Sequence, residues 1–369
     1  MADTVSGVAQ TAIPFLFMRG GTSRGPYMRR EDLPDDLDGL SKVLIAAVGS
    51  GHPLNIDGIG GGAAVTTKVA MLSASEDPWA DVDYFFAQVS VEDKLVDYKP
   101  TCGNILSGVG PAAIEMGIVK PQGETTLVRI RAVNTGAQVE AIVRTPGGMV
   151  EYAGDAAIDG VPGTAAPVLL NFMGVVGSAT GSLLPTGNSR DVIDGIEVTC
   201  IDVAMPMVIA QANAFGLTGY ETREELDANR GFFKRMEPIR IEAGKRMGMG
   251  DVSKSVMPKF GLLAAPRDGG SICARYFMPW TAHPSMAVTG SQCIASCALV
   301  PGTVARGLAV IPNGNPAVME IEHPSGKIVV TAAYENSASG FALHSAGLLR
   351  TARLLARGDL MIPADAWSS

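Results

Sequence analysis

Residues 101–117 read Thr101-Cys102-Gly103-Asn104-Ile105-Leu106-Ser107-Gly108-Val109-Gly110-Pro111-Ala112-Ala113-Ile114-Glu115-Met116-Gly117. Small residues fill the first half, and Ile105, Val109, Ala112, Ala113 and Met116 form an apolar stripe at helical spacing. The pattern predicts a buried helix starting near Cys102 to Asn104, with small side chains that let other backbone pack close on every side. Free N–H groups at such a start suit an anion. A cysteine there sits at the positive end of the helix dipole, which favours the thiolate. The same residues also read as a glycine-softened core helix with an inert buried cysteine, and both readings stand at this point.

Before this stretch, Ile13 to Met18 reads as a short apolar strand. It runs into Arg19-Gly20-Gly21-Thr22-Ser23-Arg24-Gly25, a turn rich in backbone N–H and hydroxyl groups. Such a turn can cradle an anion, although it lacks the spacing of a P-loop, and it reads equally as a bare glycine turn. Glu31 to Val48 is helical in pattern, and Asn55 to Ala64, with Asp57-Gly58-Ile59-Gly60-Gly61-Gly62, is glycine-rich loop. Val65 to Leu72 is β-branched and mostly apolar, which makes Lys68 conspicuous. It is either a solvated edge lysine or one held in a dry cleft, where burial lowers its pKa. Val82 to Val91 alternates as a strand. A meander over 127–133, 138–145 and 148–152 follows the cysteine helix, and Val168 to Phe172 is a further strand.

From Leu183 the order of elements begins again. Leu184-Pro185-Thr186-Gly187-Asn188-Ser189-Arg190-Asp191 echoes the first polar turn. Strands over 196–203 and 206–210, a charged helical region over 222–247 and a strand over 271–277 follow. Thr281 to Ser291 then enters a second small-residue helix over 292–299, ahead of strands over 317–322 and 327–334 and a strand or short helix over 348–357. The doubling predicts an α/β (α+β) chain of two similar halves. These are an N-terminal half over 1–183 holding Lys68 and Cys102, a C-terminal half over 184–349, and a segment over 350–369 returning to the first.

A chain of 369 residues exceeds one ordinary core. Only 18% of it is charged, so much of it should be buried. A net charge of −8, spread without a tail, argues against nucleic acid as a partner. Five cysteines without framework spacing fit a reducing cytosol. The four histidines are scattered, so no metal site is expected, and no phosphate-binding fingerprint points to a nucleotide. Residues 1–11 hold no basic region followed by a long apolar run, and the longest apolar stretches are cut by Gly, Pro or Arg. Neither a signal peptide nor a membrane span is expected.

Five segments together resemble the methylaconitate-isomerase-like family. They are Met18 to Gly25, Ile56 to Gly61, Cys102 to Ile105, Leu184 to Asn188, and His283-Pro284-Ser285. Within that family the chain is most similar to the 4-oxalomesaconate tautomerases and isomerases of aromatic-acid catabolism, over about residues 13–358. The resemblance implies a diaminopimelate-epimerase-like fold, each of two pseudo-symmetric halves being a curled, mostly antiparallel sheet around a central helix. It implies a cofactor-independent isomerase in the cytoplasm, acting on a small tricarboxylate as a homodimer. Lys68 and Cys102 are the implied proton carriers. Epimerases of this fold use a cysteine from each half, but no cysteine precedes Thr289-Gly290 here, which casts doubt on two-thiol racemisation. Candidate substrate binders are Arg19, Thr22, Ser23, Gly103, Asn104, Asn188, Arg275, His283, Ser285, Thr289 and Gly290. Double-bond migration in 4-oxalomesaconate leads. Its keto–enol tautomerisation, methylaconitate isomerisation and a non-catalytic carboxylate-binding role are the alternatives.

Overall fold

Alternating and continuous runs of apolar residues build most of this chain into strands. The computed structural model describes residues 10–337 and 340–367, so residues 1–9 of the N-terminal half lie outside the described residues. The chain divides into two compact units, residues 1–170 with 350–369, and residues 171–349. The division falls at 170/171 rather than at 183/184. Backbone bonds tie the intervening segment to the second unit: Ala204 N–H to the Val175 carbonyl, Gly177 N–H to Asp202, and Asp202 N–H to Leu183.

Unit 1 runs β1 (Gln10–Gly20), β2 (Ser23–Arg29), α1 (Leu37–Val48), β3 (Lys68–Ala74), β4 (Val82–Val89), β5 (Val96–Asp97), α2 (Gly103–Leu106), α3 (Val109–Glu115), β6 (Thr125–Ala132), β7 (Ala137–Arg144) and β8 (Pro167–Phe172). Unit 2 runs β9 (Asp191–Ile193), β10 (Ile196–Asp202), β11 (Pro206–Gln211), α4 (Arg223–Ala228), α5 (Arg230–Arg246), β12 (Lys259–Ala264), β13 (Ile272–Phe277), α6 (Val288–Leu299), β14 (Ala317–His323) and β15 (Gly326–Ser337). The long β16 (Gly340–Pro363) starts against β15 and ends against β1, and α7 (Ala364–Trp367) closes the chain.

The pairing repeats. In unit 1, β1–β2 is antiparallel, β2–β3 parallel, β3–β4 antiparallel, β4–β6 parallel and β6–β7 antiparallel. In unit 2, β10–β11, β11–β12, β12–β13, β13–β14 and β14–β15 follow the same order of directions. Parallel neighbours need a crossover, and each helix supplies one. The first crossover carries α1 in unit 1 and α4–α5 in unit 2. The second carries the buried α2–α3 and α6. The doubling is the one that the sequence pattern predicts, and the mostly antiparallel sheet with a buried helix in each half is what the family resemblance implies.

Strand alternation assigns two faces to the unit 1 sheet. Ile13, Met28, Val69 and Met71 face outward into a core with Leu40, Val43 and Leu44 of α1. Tyr27, Gly20 and Gly25 face inward to α2 and Lys68. In unit 2, α6 buries every residue except Val288, Thr289 and Ala298.

Several expected elements differ. Ala64–Thr66 is a 3-10 turn, so Lys68 opens β3 instead of lying within it. Pro34 keeps the first helix from starting before Leu37. Residues 149–152 form no strand, β12 was not anticipated, and the segment over 348–357 is strand. No helix among the described residues is long and apolar enough to cross a membrane.

Candidate active site

The cysteine stretch folds into two short helices. Cys102 is the N-cap of α2, with extended backbone, and the helix breaks at Ser107–Gly108 before α3 begins. Tyr27 explains the break. Its buried hydroxyl donates to the Ile105 carbonyl at 2.5 Å. A Cβ on Gly20 would lie 2.7 Å from that oxygen, and a Cβ on Gly108 would overlap it. The ring therefore wedges between two residues that have to be glycine. A helix of one turn carries little dipole, so the group that matters at Cys102 is a side chain.

That side chain is Lys68, whose Nζ donates to Cys102 Sγ at 3.2 Å. Both residues are half-buried. A Cβ on Gly25 would collide with the Lys68 carbonyl group, 2.9 Å from its carbon, so β2 presses backbone to backbone against the start of β3. Tyr84 donates to the Cys102 carbonyl at 3.4 Å. Burial, and then the nearby Cys102, push the phenols of Tyr27 and Tyr84 well above their ordinary range, so both remain protonated donors.

The β1–β2 turn sits on the first turn of α2. Asn104 Nδ2 donates to Thr22 Oγ1 at 3.1 Å, and a Cβ on Gly20 would stand 2.5 Å from the Asn104 carbonyl oxygen. Gly21, with φ +53°, rests on the Asn104 side chain. Ser23 is buried, yet its Oγ has no hydrogen-bond partner among the described residues. A buried hydroxyl without a partner is costly. Gly103 is open: a Cβ built there meets nothing within 4 Å. The first N–H groups of α2 have no acceptor within the helix. Lys68, Cys102, Gly103, Asn104, Thr22 and Ser23 thus come together in unit 1. Arg19 projects from the other face of β1, where its Nη1 donates to the Gly21 and Thr351 carbonyls and to Thr351 Oγ1 at 2.9–3.0 Å.

The unit 2 candidates fall into two groups. His283, Ser285, Thr289 and Gly290 gather at the start of α6. Ser285 N–H donates to His283 Nδ1 at 3.0 Å, and burial holds the imidazole below the ordinary histidine range, so the ring is neutral with its proton on Nε2. The Tyr276 ring lies against Gly290, where a Cβ would stand 2.6 Å from it. Asn188 and Arg275 serve the fold. Asn188 Nδ2 donates to Asp191 at 3.0 Å within its own turn. Buried Arg275 donates to the Glu221 and Ala274 carbonyls at 2.8 and 2.9 Å. Sequence reading missed Tyr27, Tyr84 and Thr351. For Tyr27 the available signal was alternation, which puts it on the face of Gly25.

Among the described residues, no three His, Cys, Asp or Glu side chains cluster as metal ligands would.

The PrpF protein family matches residues 10–363. The chain is 48% identical over 360 residues to the 4-oxalomesaconate tautomerase of Pseudomonas putida, covering 98% of this chain and 99% of that protein. It is 47% identical to the (4E)-oxalomesaconate Delta-isomerase of a Novosphingobium species, covering 95% and 97% of the two chains. The crystal structure of a methylitaconate-delta-isomerase superposes with a TM-score of 0.88 at 34% identity, covering 98% of each chain.

Proposed function

The chain belongs to the PrpF family and is an isomerase; we propose that it moves the carbon–carbon double bond of 4-oxalomesaconate by a 1,3-proton shift. The observation that carries this reading is the Lys68 Nζ–Cys102 Sγ contact of 3.2 Å beside an unpartnered Ser23 hydroxyl and an open Gly103.

The substrate's CH₂ lies between a ketone and a double bond. Lys68, as the free amine, takes one proton from it, and the C–H electron pair spreads into a dienolate. Donors facing the ketone oxygen stabilise the growing charge. Lys68, now an ammonium, returns the proton to the carbon beside the terminal carboxylate, and the double bond shifts to conjugate with the ketone. No atom is gained or lost, and no hydride moves. Both carbons belong to one planar system, so a single base on one face serves them. Cys102 orients the amine and exchanges a proton with it. Thr22, Asn104 and the N–H groups of Gly103 and Asn104 suit the substrate's carboxylates. The remaining expectations belong to the same reading: a free tricarboxylate substrate, a cytoplasmic setting and a homodimer.

Turnover in deuterium oxide, followed by NMR, tests the reaction. Double-bond migration places deuterium in a new CH₂ beside the terminal carboxylate. Keto–enol tautomerisation, the reading favoured by the name of the P. putida relative, leaves that carbon vinylic. Lys68→Met should lower kcat by about 10²–10⁴-fold, the usual contribution of a positioned base. Cys102→Ser should retain substantial activity. Full activity in folded Lys68→Met would return the leading role to Cys102.

A further inference from the structure

Strand β4 presents Tyr84, Phe86 and Gln88 on the inward face of the unit 1 sheet. In the antiparallel pairing with β3 they stand opposite Leu72, Ala70 and Lys68, and residues directly opposite share a face. Tyr84 has a task there, since its hydroxyl donates to the Cys102 carbonyl. Gln88 is the register partner of Lys68 itself.

Lys68 Nζ bonds to Cys102, and the Gln88 amide turns to the backbone just before Lys68. Its Nε2 donates to the Ala64 carbonyl at 3.1 Å, to Thr67 Oγ1 at 3.2 Å and to the Val89 carbonyl at 3.2 Å. Two of these three are carbonyls, which only accept, so the nitrogen end of the amide has to face them. Ala64 opens the 3-10 turn that leads into β3, and Thr67 closes it. One side chain therefore ties both ends of the turn to β4.

Thr67 completes the tie. Its buried hydroxyl accepts from Gln88 and donates to the Val89 carbonyl at 2.7 Å, and its own carbonyl accepts the Val89 N–H at 3.1 Å. The turn depends on these bonds. Ala63, Ala64 and Val65 are exposed, so core packing does not fix them. The segment ahead holds Gly58, Gly60, Gly61 and Gly62, and glycine gives the backbone its widest freedom.

We propose that Gln88 is a positioning residue for Lys68. Through the Ala64–Thr67 turn it sets where the lysine leaves the backbone, and so holds Nζ against Cys102 Sγ. The inner face of β4 thereby places both members of the pair, Tyr84 acting on Cys102 and Gln88 on Lys68. The inference rests on the proton-transfer roles proposed for that pair, but the placement can be read without turnover.

The reagent 1,5-difluoro-2,4-dinitrobenzene joins a thiol to a nearby amine by losing both fluorides. The yield of the Lys68–Cys102 cross-link in the full chain, read by peptide mass spectrometry, reports how close the two groups lie. Gln88→Met keeps the length of the side chain and removes both N–H donors. The cross-link should fall about tenfold in that variant, and kcat about 10–10²-fold with KM nearly unchanged, the mark of a displaced reacting group. Thr67→Val cuts the other half of the tie and should lower the cross-link in the same direction. The double variant should lose no more than the larger single loss, because both residues act through one turn. Wild-type cross-linking in folded Gln88→Met overturns the proposal, whatever the reaction catalysed. Should Gln88→Met not fold, wild-type cross-linking in Thr67→Val overturns it. Losses that add in the double variant overturn the shared tie. A reduced cross-link with unchanged kcat supports the placement and overturns instead the reading of Lys68 as the base.

Discussion

Gly25→Ala is the sharpest single-atom test of how Lys68 is held. Gly25 lies in β2 with its inward face against the carbonyl of Lys68, and an added Cβ would stand 2.9 Å from the carbonyl carbon and closer still to its oxygen. Real Cβ contacts do not approach so near, so β2 and the start of β3 have to separate by an ångström or more. Main-chain atoms on both sides leave no flexible side chain to yield. The shift falls on the residue whose Nζ meets Cys102 at 3.2 Å. A displacement of about 1 Å at a reacting group costs about 10²-fold in rate, or about 2.7 kcal/mol in the barrier. Overpacking at such a contact adds about 1–3 kcal/mol of lost stability.

Gly103→Ala is the matched control. Its Cβ meets nothing within 4 Å, and Ala is the better helix former at the first position of α2 by up to about 1 kcal/mol. Stability should hold or rise slightly, while the methyl enters the open side of Cys102, where substrate is proposed to lie, so KM should rise. Urea denaturation and ultraviolet-monitored kinetics on both variants supply the readings. Gly25→Ala with wild-type stability and kcat would refute the backbone-contact argument. Gly103→Ala with an unchanged KM would refute the placing of substrate against that residue.

Two further outcomes are expected. Tyr27→Phe removes the buried hydroxyl that donates to the Ile105 carbonyl, so urea unfolding should show a loss of about 1 kcal/mol with an unchanged slope; no loss would mean that the glycines alone break the helix. Glu322 accepts the N–H groups of Arg267, Asp268 and Gly270 at 2.7–2.9 Å. Burial pushes its carboxyl up, but those bonds outweigh it and hold it below the ordinary range. A depressed folded pKa means stability that is present above the unfolded value, about 4.3, and lost as pH falls through the folded one. Glu322→Gln should therefore be less stable by about 1–3 kcal/mol near pH 7, with the gap closing below about pH 4. A gap that widens in acid would contradict the assignment.

The doubled order of elements was legible because it rests on hydrophobic period and on glycine turns. Both act locally and survive whatever the tertiary packing does. Lys68 stood out because a lysine is out of place in an apolar, β-branched run, whereas Cys102 read equally as core and drew notice through its place at a helix start and the family resemblance. What stayed hidden depended on contacts between distant strands. The break in the cysteine helix comes from a tyrosine 78 residues earlier in the chain. Apolar periodicity continues straight through Ser107–Gly108, so no helical signal marks it. Arg275 attracted notice as an arginine in a strand, yet its donors are used by the Glu221 and Ala274 carbonyls. β12 escaped notice because Lys259-Phe260-Gly261 carries a charge and a glycine, and its partner across the parallel pair is reached only through α4 and α5.

The two units repeat one topology but not one chemistry. Lys259 opens β12 as Lys68 opens β3, each as the parallel partner of the preceding hairpin strand. Its Nζ donates to the Met278 carbonyl at 3.1 Å, and burial, then Arg240, lower its pKa. The N-cap of α6 is Ala287 where that of α2 is Cys102, so the lysine of unit 2 has no thiol at the corresponding place. A racemase of this architecture needs a proton carrier on each side of its substrate. This chain has the lysine–thiol pair in unit 1 and an alanine at the corresponding N-cap of unit 2. A 1,3-shift requires no more, because the proton leaves and returns on the same face of a planar dienolate. The Lys68–Cys102 pair of unit 1 therefore meets the need of the proposed shift by itself. Restoring the thiol with Ala287→Cys should leave double-bond migration unchanged. A faster migration would contradict the reading that the Lys68–Cys102 pair alone meets the need of the shift.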